Sequence, residues 1–125
     1  VDLSKCCEWP KLETRSVTNL VEARVVILVF TIPGCEACLE YKPRFIRAVQ
    51  HYRQQVPALQ HVPIFMYDAN DPRCAEIATR LGVYNVPVTF VLRRPTGVAR
   101  LEGGAPDSEI ARLLGIAARE AATNH

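Results

Sequence analysis

The chain has a single Met, a single Trp and no long hydrophobic run. Its longest uninterrupted apolar segment, Val25–Phe30, is far short of the roughly 20 residues that a membrane-spanning helix needs. Neither charge dominates: the net charge is +2 and the basic residues are scattered. That excludes the basic stripe of a nucleic-acid binder or a membrane-surface protein. Internal repeats and low-complexity segments are absent as well. What remains is ordinary globular composition, with 49% hydrophobic and 22% charged residues among 125. This length supports one domain with a real core. The chain begins at Val1 with no signal-like segment, which we read as a processed or trimmed terminus.

Five cysteines are present, an odd number that does not suit a disulfide-stapled scaffold. Lys5, where a small residue is needed, argues against a lipid anchor on Cys6. Cys6 and Cys7 are read as free thiols in an arm, with a bond to Cys74 or to another chain left open. Cys74 lies beside Arg73 and is read as a partly buried helix cysteine. The pair Cys35-Glu36-Ala37-Cys38 is different. Its spacing suits a redox-active dithiol, an inert disulfide or half of a zinc site. A zinc site needs about four ligands, and Cys6, Cys7, Cys74, His51 and His61 offer no second pair at the usual spacing. His51 and His61 are read as surface residues.

Residues 1–11 read as an N-terminal arm and residues 12–125 as the domain. Ser16 to Ala23 has the spacing of a short helix. Val25–Phe30 is a β-branched run that predicts a strand buried on both faces, and Pro33-Gly34 ends it. A helix is expected from about Cys35 to Gln55, with an apolar stripe of Leu39, Phe45, Ile46, Val49, Tyr52 and Val56 that continues past Pro43. A strand follows at Ile64–Tyr67, then a helix begun by Asp71-Pro72 and ended by Gly82. Val88–Leu92 and Val98–Glu102 read as a hairpin around Arg94–Gly97. The last helix, Asp107–Ala122, is expected to be capped by Asp107. After the N-terminal part, from Val25 onward, the order is β-α-β-α-β-β-α.

The Cys pair after a buried strand, Pro43 five residues beyond it, the stretch Leu81-Gly82-Val83-Tyr84-Asn85-Val86-Pro87, and Gly103-Gly104 before the last helix together resemble the thioredoxin family over roughly residues 12–120. Glutaredoxins share the Val-Pro step and the Cys pair, but their domain is usually smaller and lacks the extra N-terminal strand and helix. The resemblance implies an α/β thioredoxin fold, a central mixed β-sheet flanked by helices. It implies a thiol–disulfide oxidoreductase, with Cys35 as nucleophile and Cys38 as resolving thiol. It also implies a part in electron transport and cell redox homeostasis. Pro87, otherwise an ordinary strand-start proline, would be a cis-proline facing the pair. With Val86, Ile32 and Gly103 it would form the groove for an extended substrate chain.

Three positions depart from the family pattern. Gly34 stands where a Trp is expected, Glu36-Ala37 where Gly-Pro is expected, and Val29 where the family has a buried acid that moves protons for the second Cys. Glu36 should oppose thiolate at Cys35 by about as much as the helix N-terminus favours it, each roughly 1 kcal/mol. Without an acid at position 29, product release through Cys38 should be slow or rely on water or Glu36. No bound cofactor is implied, since the Cys35–Cys38 disulfide is itself the redox group. Expected partners are protein disulfides or dithiols and a reductase or membrane thiol donor, with no nucleic acid, and the chain is expected to be a monomer. A non-catalytic binding or metal-handling module is the other reading. A bacterial cell envelope, periplasmic or tethered, is slightly favoured over the cytoplasm, and the direction of electron flow is open.

Overall fold

β1, Val25–Thr31, is buried at all seven positions, as a run with no polar alternation requires. In the computed structural model, which describes residues 24–93 and 96–122, β1 is flanked on both sides. β2, Ile64–Asp68, pairs with it in parallel, and β3, Val88–Arg93, pairs with it antiparallel. β4, Thr96–Glu102, closes a hairpin onto β3, giving the order β2-β1-β3-β4. The hairpin strand starts earlier than Val98 because the ladder shifts between Val91 and Leu92, which brings Thr96 and Gly97 into register. The turn at residues 94–95, the expected helix at 16–23 and the arm at 1–11 lie outside the described residues.

α1 spans Glu36–Gln55 and runs through Pro43. Its buried residues are Cys38, Tyr41, Phe45 and Val49. Phe45 and Val49 belong to the expected stripe, whose Ile46, Tyr52 and Val56 pack half-buried against the core, and only Leu39 departs from it, 69% exposed. The stripe returns every three or four residues, and once Cys38 faces the core its neighbour is turned about 100° away. A 3₁₀ turn at Pro57–His61 leads to β2. His51 and His61 are both exposed.

The helix expected from Pro72 divides in two. Asp71 accepts from the Arg73 amide and caps a 3₁₀ turn, Pro72–Cys74, before α2 begins at Ala75–Leu81. Gly82 ends α2 in the left-handed conformation at φ 67°, as its sequence position suggested. Cys74 is fully buried and disulfide-bonded, its partner lying outside the described residues. This corrects the expectation of a partly buried helical thiol, because the tight turn aims the side chain inward. α3 covers Asp107–Ala122. Asp107 is its first residue rather than its cap: the Pro106 carbonyl accepts from Glu109 and Ile110, and the Asp107 carboxylate meets Arg44 instead.

The alternation along the strands sorts the core into two faces. Phe30 packs its ring against Tyr67 at 5.2 Å and against Phe90 at 5.9 Å on one side. The other side carries Val29, Thr31, Met66, Asp68 and Thr89, which are cross-strand partners or two residues apart. The Tyr41 hydroxyl meets Thr89 Oγ1 at 2.8 Å, so this second face is the one that α1 covers. α3 packs beside α1 and against the sheet.

Candidate active site

β1 ends at Thr31, and Ile32-Pro33-Gly34 turns the chain into α1. Gly34 adopts φ 77° with open space around its α-carbon, a conformation that disfavours a bulky residue there. Cys35 is the N-cap of α1 in the extended conformation. Its carbonyl accepts from Leu39, and its Sγ accepts from the Cys38 amide at 3.1 Å. Sulfur thus occupies the place where Ser, Thr or Asp usually satisfies a free helical N–H. The same N–H is placed to stabilise negative charge on sulfur as a bond to it forms or breaks.

The two thiols are both free, and their surroundings differ. Cys35 is half-buried, whereas Cys38 is 3% exposed. Burial pushes the Cys38 thiol up to about 11, the hydrogen bond to Cys35 acts in the same direction, and the Ile32 backbone pulls against both. Cys38 therefore holds its proton firmly until something accepts it. Glu36 and Ala37 are exposed in the first turn of α1. Val29 lies deeper in β1, fully buried, with Met66 and Thr89 as cross-strand partners.

Antiparallel pairing brings the entry of β3 to the exit of β1, where Phe30 stands opposite Val88. The Val86–Pro87 peptide bond just before it is cis. Gly103 donates its amide to the Pro87 carbonyl at 2.8 Å, and a Cβ on Gly104 would lie 3.9 Å from the Ala37 carbonyl. Pro87, Gly103, Gly104 and the first turn of α1 are therefore contiguous. Arg44 fastens this arrangement by donating to the Ala105 carbonyl at 2.8 Å and to Asp107 at 2.9 Å. Val86 and Ile32 are half-buried at the same end of the sheet.

Sequence reasoning missed a hollow of about 230 Å³ beside Cys38. Its walls are Thr31, Ile32, Pro33, Cys38, Leu39, Lys42 and Asp68. Glu36, the acid first considered for proton transfer, does not line it. Lys42 was legible as the residue one turn beyond Cys38. Asp68 was not, because only the pairing of β2 with β1 places it opposite Thr31. Among the described residues, no group of three or more His, Cys, Asp or Glu is arranged to hold a metal ion.

An α/β domain with a dithiol capping the helix that follows its central strand, and a cis-proline at the neighbouring strand's entry, defines a fold class that solved structures make explicit. The chain superimposes on the thioredoxin Mala s 13 of Malassezia sympodialis with a TM-score of 0.60, at 19% identity over 76% of each chain. For oxidised Plasmodium falciparum thioredoxin the TM-score is 0.61 at 18% identity, over 78% of this chain and 85% of that one. Mitochondrial thioredoxin 3 of Saccharomyces cerevisiae, in its oxidised form, gives 0.61 at 12% identity, over 90% of this chain and 97% of that one. No family model and no curated protein matches the sequence. The chain has the thioredoxin fold, with its Cys-x-x-Cys pair at the start of the helix that follows the central strand.

Proposed function

We propose that this protein exchanges dithiol and disulfide with protein substrates through Cys35 and Cys38. The observation that carries the reading is the asymmetry of the pair: an accessible sulfur at the helix cap and a shielded thiol one turn inside. In the reducing direction, the Cys35 thiolate attacks one sulfur of a substrate disulfide. The substrate's other sulfur leaves as a thiolate and takes up a proton. Cys38 then gives up its proton and attacks Cys35 Sγ, the mixed disulfide breaks, and the second substrate thiol departs. The two protein thiols lose two electrons and the substrate disulfide gains them. The oxidising direction is the reverse of these steps.

Ile32, Val86, Pro87 and Gly103 are the groove we assign to the substrate, an extended chain that adds alongside the Val86 backbone. The redox group is the Cys35–Cys38 disulfide, with no bound cofactor. The chain works as a monomer supplied by a reductase or membrane thiol donor.

A disulfide-reduction assay tests the reading. Wild type turns over, Cys35→Ser shows no turnover, and Cys38→Ser accumulates substrate as a mixed disulfide on Cys35 that mass spectrometry identifies. Absence of turnover in wild type, together with retained zinc or copper, would instead point to a binding or metal-handling module. The reduction potential of the pair, measured against glutathione, decides between reductase and oxidant.

A further inference from the structure

The resolving step needs a proton acceptor. Cys38 is buried and a poor acid, and position 29 holds Val, which cannot accept a proton. The sheet register shows what stands near that position. Val29 pairs with Met66, and two residues further along β2, on the same α1-facing side, Asp68 pairs with Thr31. Asp68 and Cys38 line one hollow, and Lys42 from α1 lines it too. At about 30 Å³ per molecule, a hollow of about 230 Å³ has room for water to bridge thiol and carboxylate. The exit of β1 contributes Thr31, Ile32 and Pro33, none of which is charged. Among the described residues, the titratable groups facing Cys38 across this hollow are thus Lys42 and Asp68, with Cys35 on its other side.

We propose that Asp68, acting through water in this hollow, accepts the Cys38 proton during resolution of the mixed disulfide and returns it when the reaction runs backwards. This rests on the oxidoreductase reading above. As the Cys38 S–H bond breaks, its proton passes to the Asp68 carboxylate, and the sulfur's electron pair forms the bond to Cys35 Sγ. The substrate sulfur leaves with the electrons of the bond it loses. Asp68 then releases the proton to solvent. Its carboxylate is anchored for this role, with Oδ1 accepting from the Asn70 amide at 2.8 Å.

A stopped-flow experiment separates the two chemical steps. Reduced protein is mixed with a symmetrical aromatic disulfide that releases a coloured thiolate. Colour released by the other cysteines, measured in Cys35→Ser/Cys38→Ser, is subtracted. Of the remainder, the first equivalent reports attack by Cys35 and the second reports resolution by Cys38. Asp68→Asn should leave the first phase within about twofold of wild type. It should slow the second by roughly ten- to a hundredfold near neutral pH, the low end of positioned acid–base catalysis. The acid limb of the second phase's pH–rate profile should disappear in Asp68→Asn and return in Asp68→Glu with most of the rate. A merely structural role for Asp68 would not move that limb. Equal second-phase rates and equal profiles in wild type and Asp68→Asn would overturn the relay and leave the oxidoreductase reading standing. A wild type that releases no second equivalent would overturn both.

Discussion

A thiol buried beside another sulfur is a poor acid, and Cys38 is such a thiol. The consequence reaches beyond exchange chemistry. An unfolded chain loses a cysteine proton near pH 8.5, whereas folded Cys38 keeps its proton to about 11. Below the lower value both states are protonated, and Cys38 adds no pH dependence. Between the two, the unfolded state sheds the proton and the folded state does not, so stability falls as pH rises. We expect reduced protein to lose on the order of 2 kcal/mol from this group between about pH 8 and about pH 11, checked by urea unfolding across that range. Cys38→Ala should show a shallower alkaline decline. Some decline will remain, because burial also raises the Tyr41 hydroxyl. Parallel declines in the two proteins would contradict the assignment. Cys35 has the complementary position: as the helix cap it is held by the chain it serves, so its geometry is fixed before a substrate arrives.

At the scale of elements, the site depends on how α1 is seated on the sheet. The Tyr41–Thr89 hydrogen bond joins residues 48 apart, one turn from Cys38 on one side and two residues from Pro87 on the other. Both side chains are fully buried. Tyr41→Phe strands the Thr89 hydroxyl and should cost about 1–3 kcal/mol, lowering the thermal midpoint by several degrees. Adding Thr89→Val to Tyr41→Phe should recover part of that loss, because neither polar group is then left unmatched. The sequence could not supply a partner for Tyr41, since nothing local connects a helix residue with a strand residue so far along the chain. Leu39 shows the same limit. Its apolar character suggested a buried face, yet the helix phase was set by Cys38, Tyr41, Phe45 and Val49 together. Cys74 was legible as a cysteine near a helix start, with a bond to Cys6 or Cys7 left open, but not as a fully buried one, because its burial follows from a 3₁₀ turn that spacing alone does not distinguish from an α-helix.

For the whole molecule, the core is organised by the central strand. Phe30 lies in β1 between Tyr67 of β2 and Phe90 of β3, so one side chain bridges three strands. Phe30→Ala should destabilise by about 3–5 kcal/mol, a large part of the roughly 5–15 kcal/mol that holds such a domain together. Denaturant unfolding measures this, and Phe30→Leu should retain most of the stability. Because β1 also delivers the chain to Cys35, loss of this core should loosen the dithiol along with the sheet.

Much of this arrangement was written locally. The β-branched run made β1, the Cys-x-x-Cys spacing put both sulfurs on the first turn of a helix, and Gly82 ended α2 through a backbone conformation that glycine adopts without strain. These features depend on residues within a turn or a strand of one another, so a linear reading reaches them. The sequence also showed that Val29 could not act as an acid. It could not show that Asp68 stands beside the hollow next to Cys38. That placement required the parallel register of β2 on β1 and the face covered by α1. Register is settled by burying one set of side chains across distant strands at once, and only the tertiary structure makes that choice.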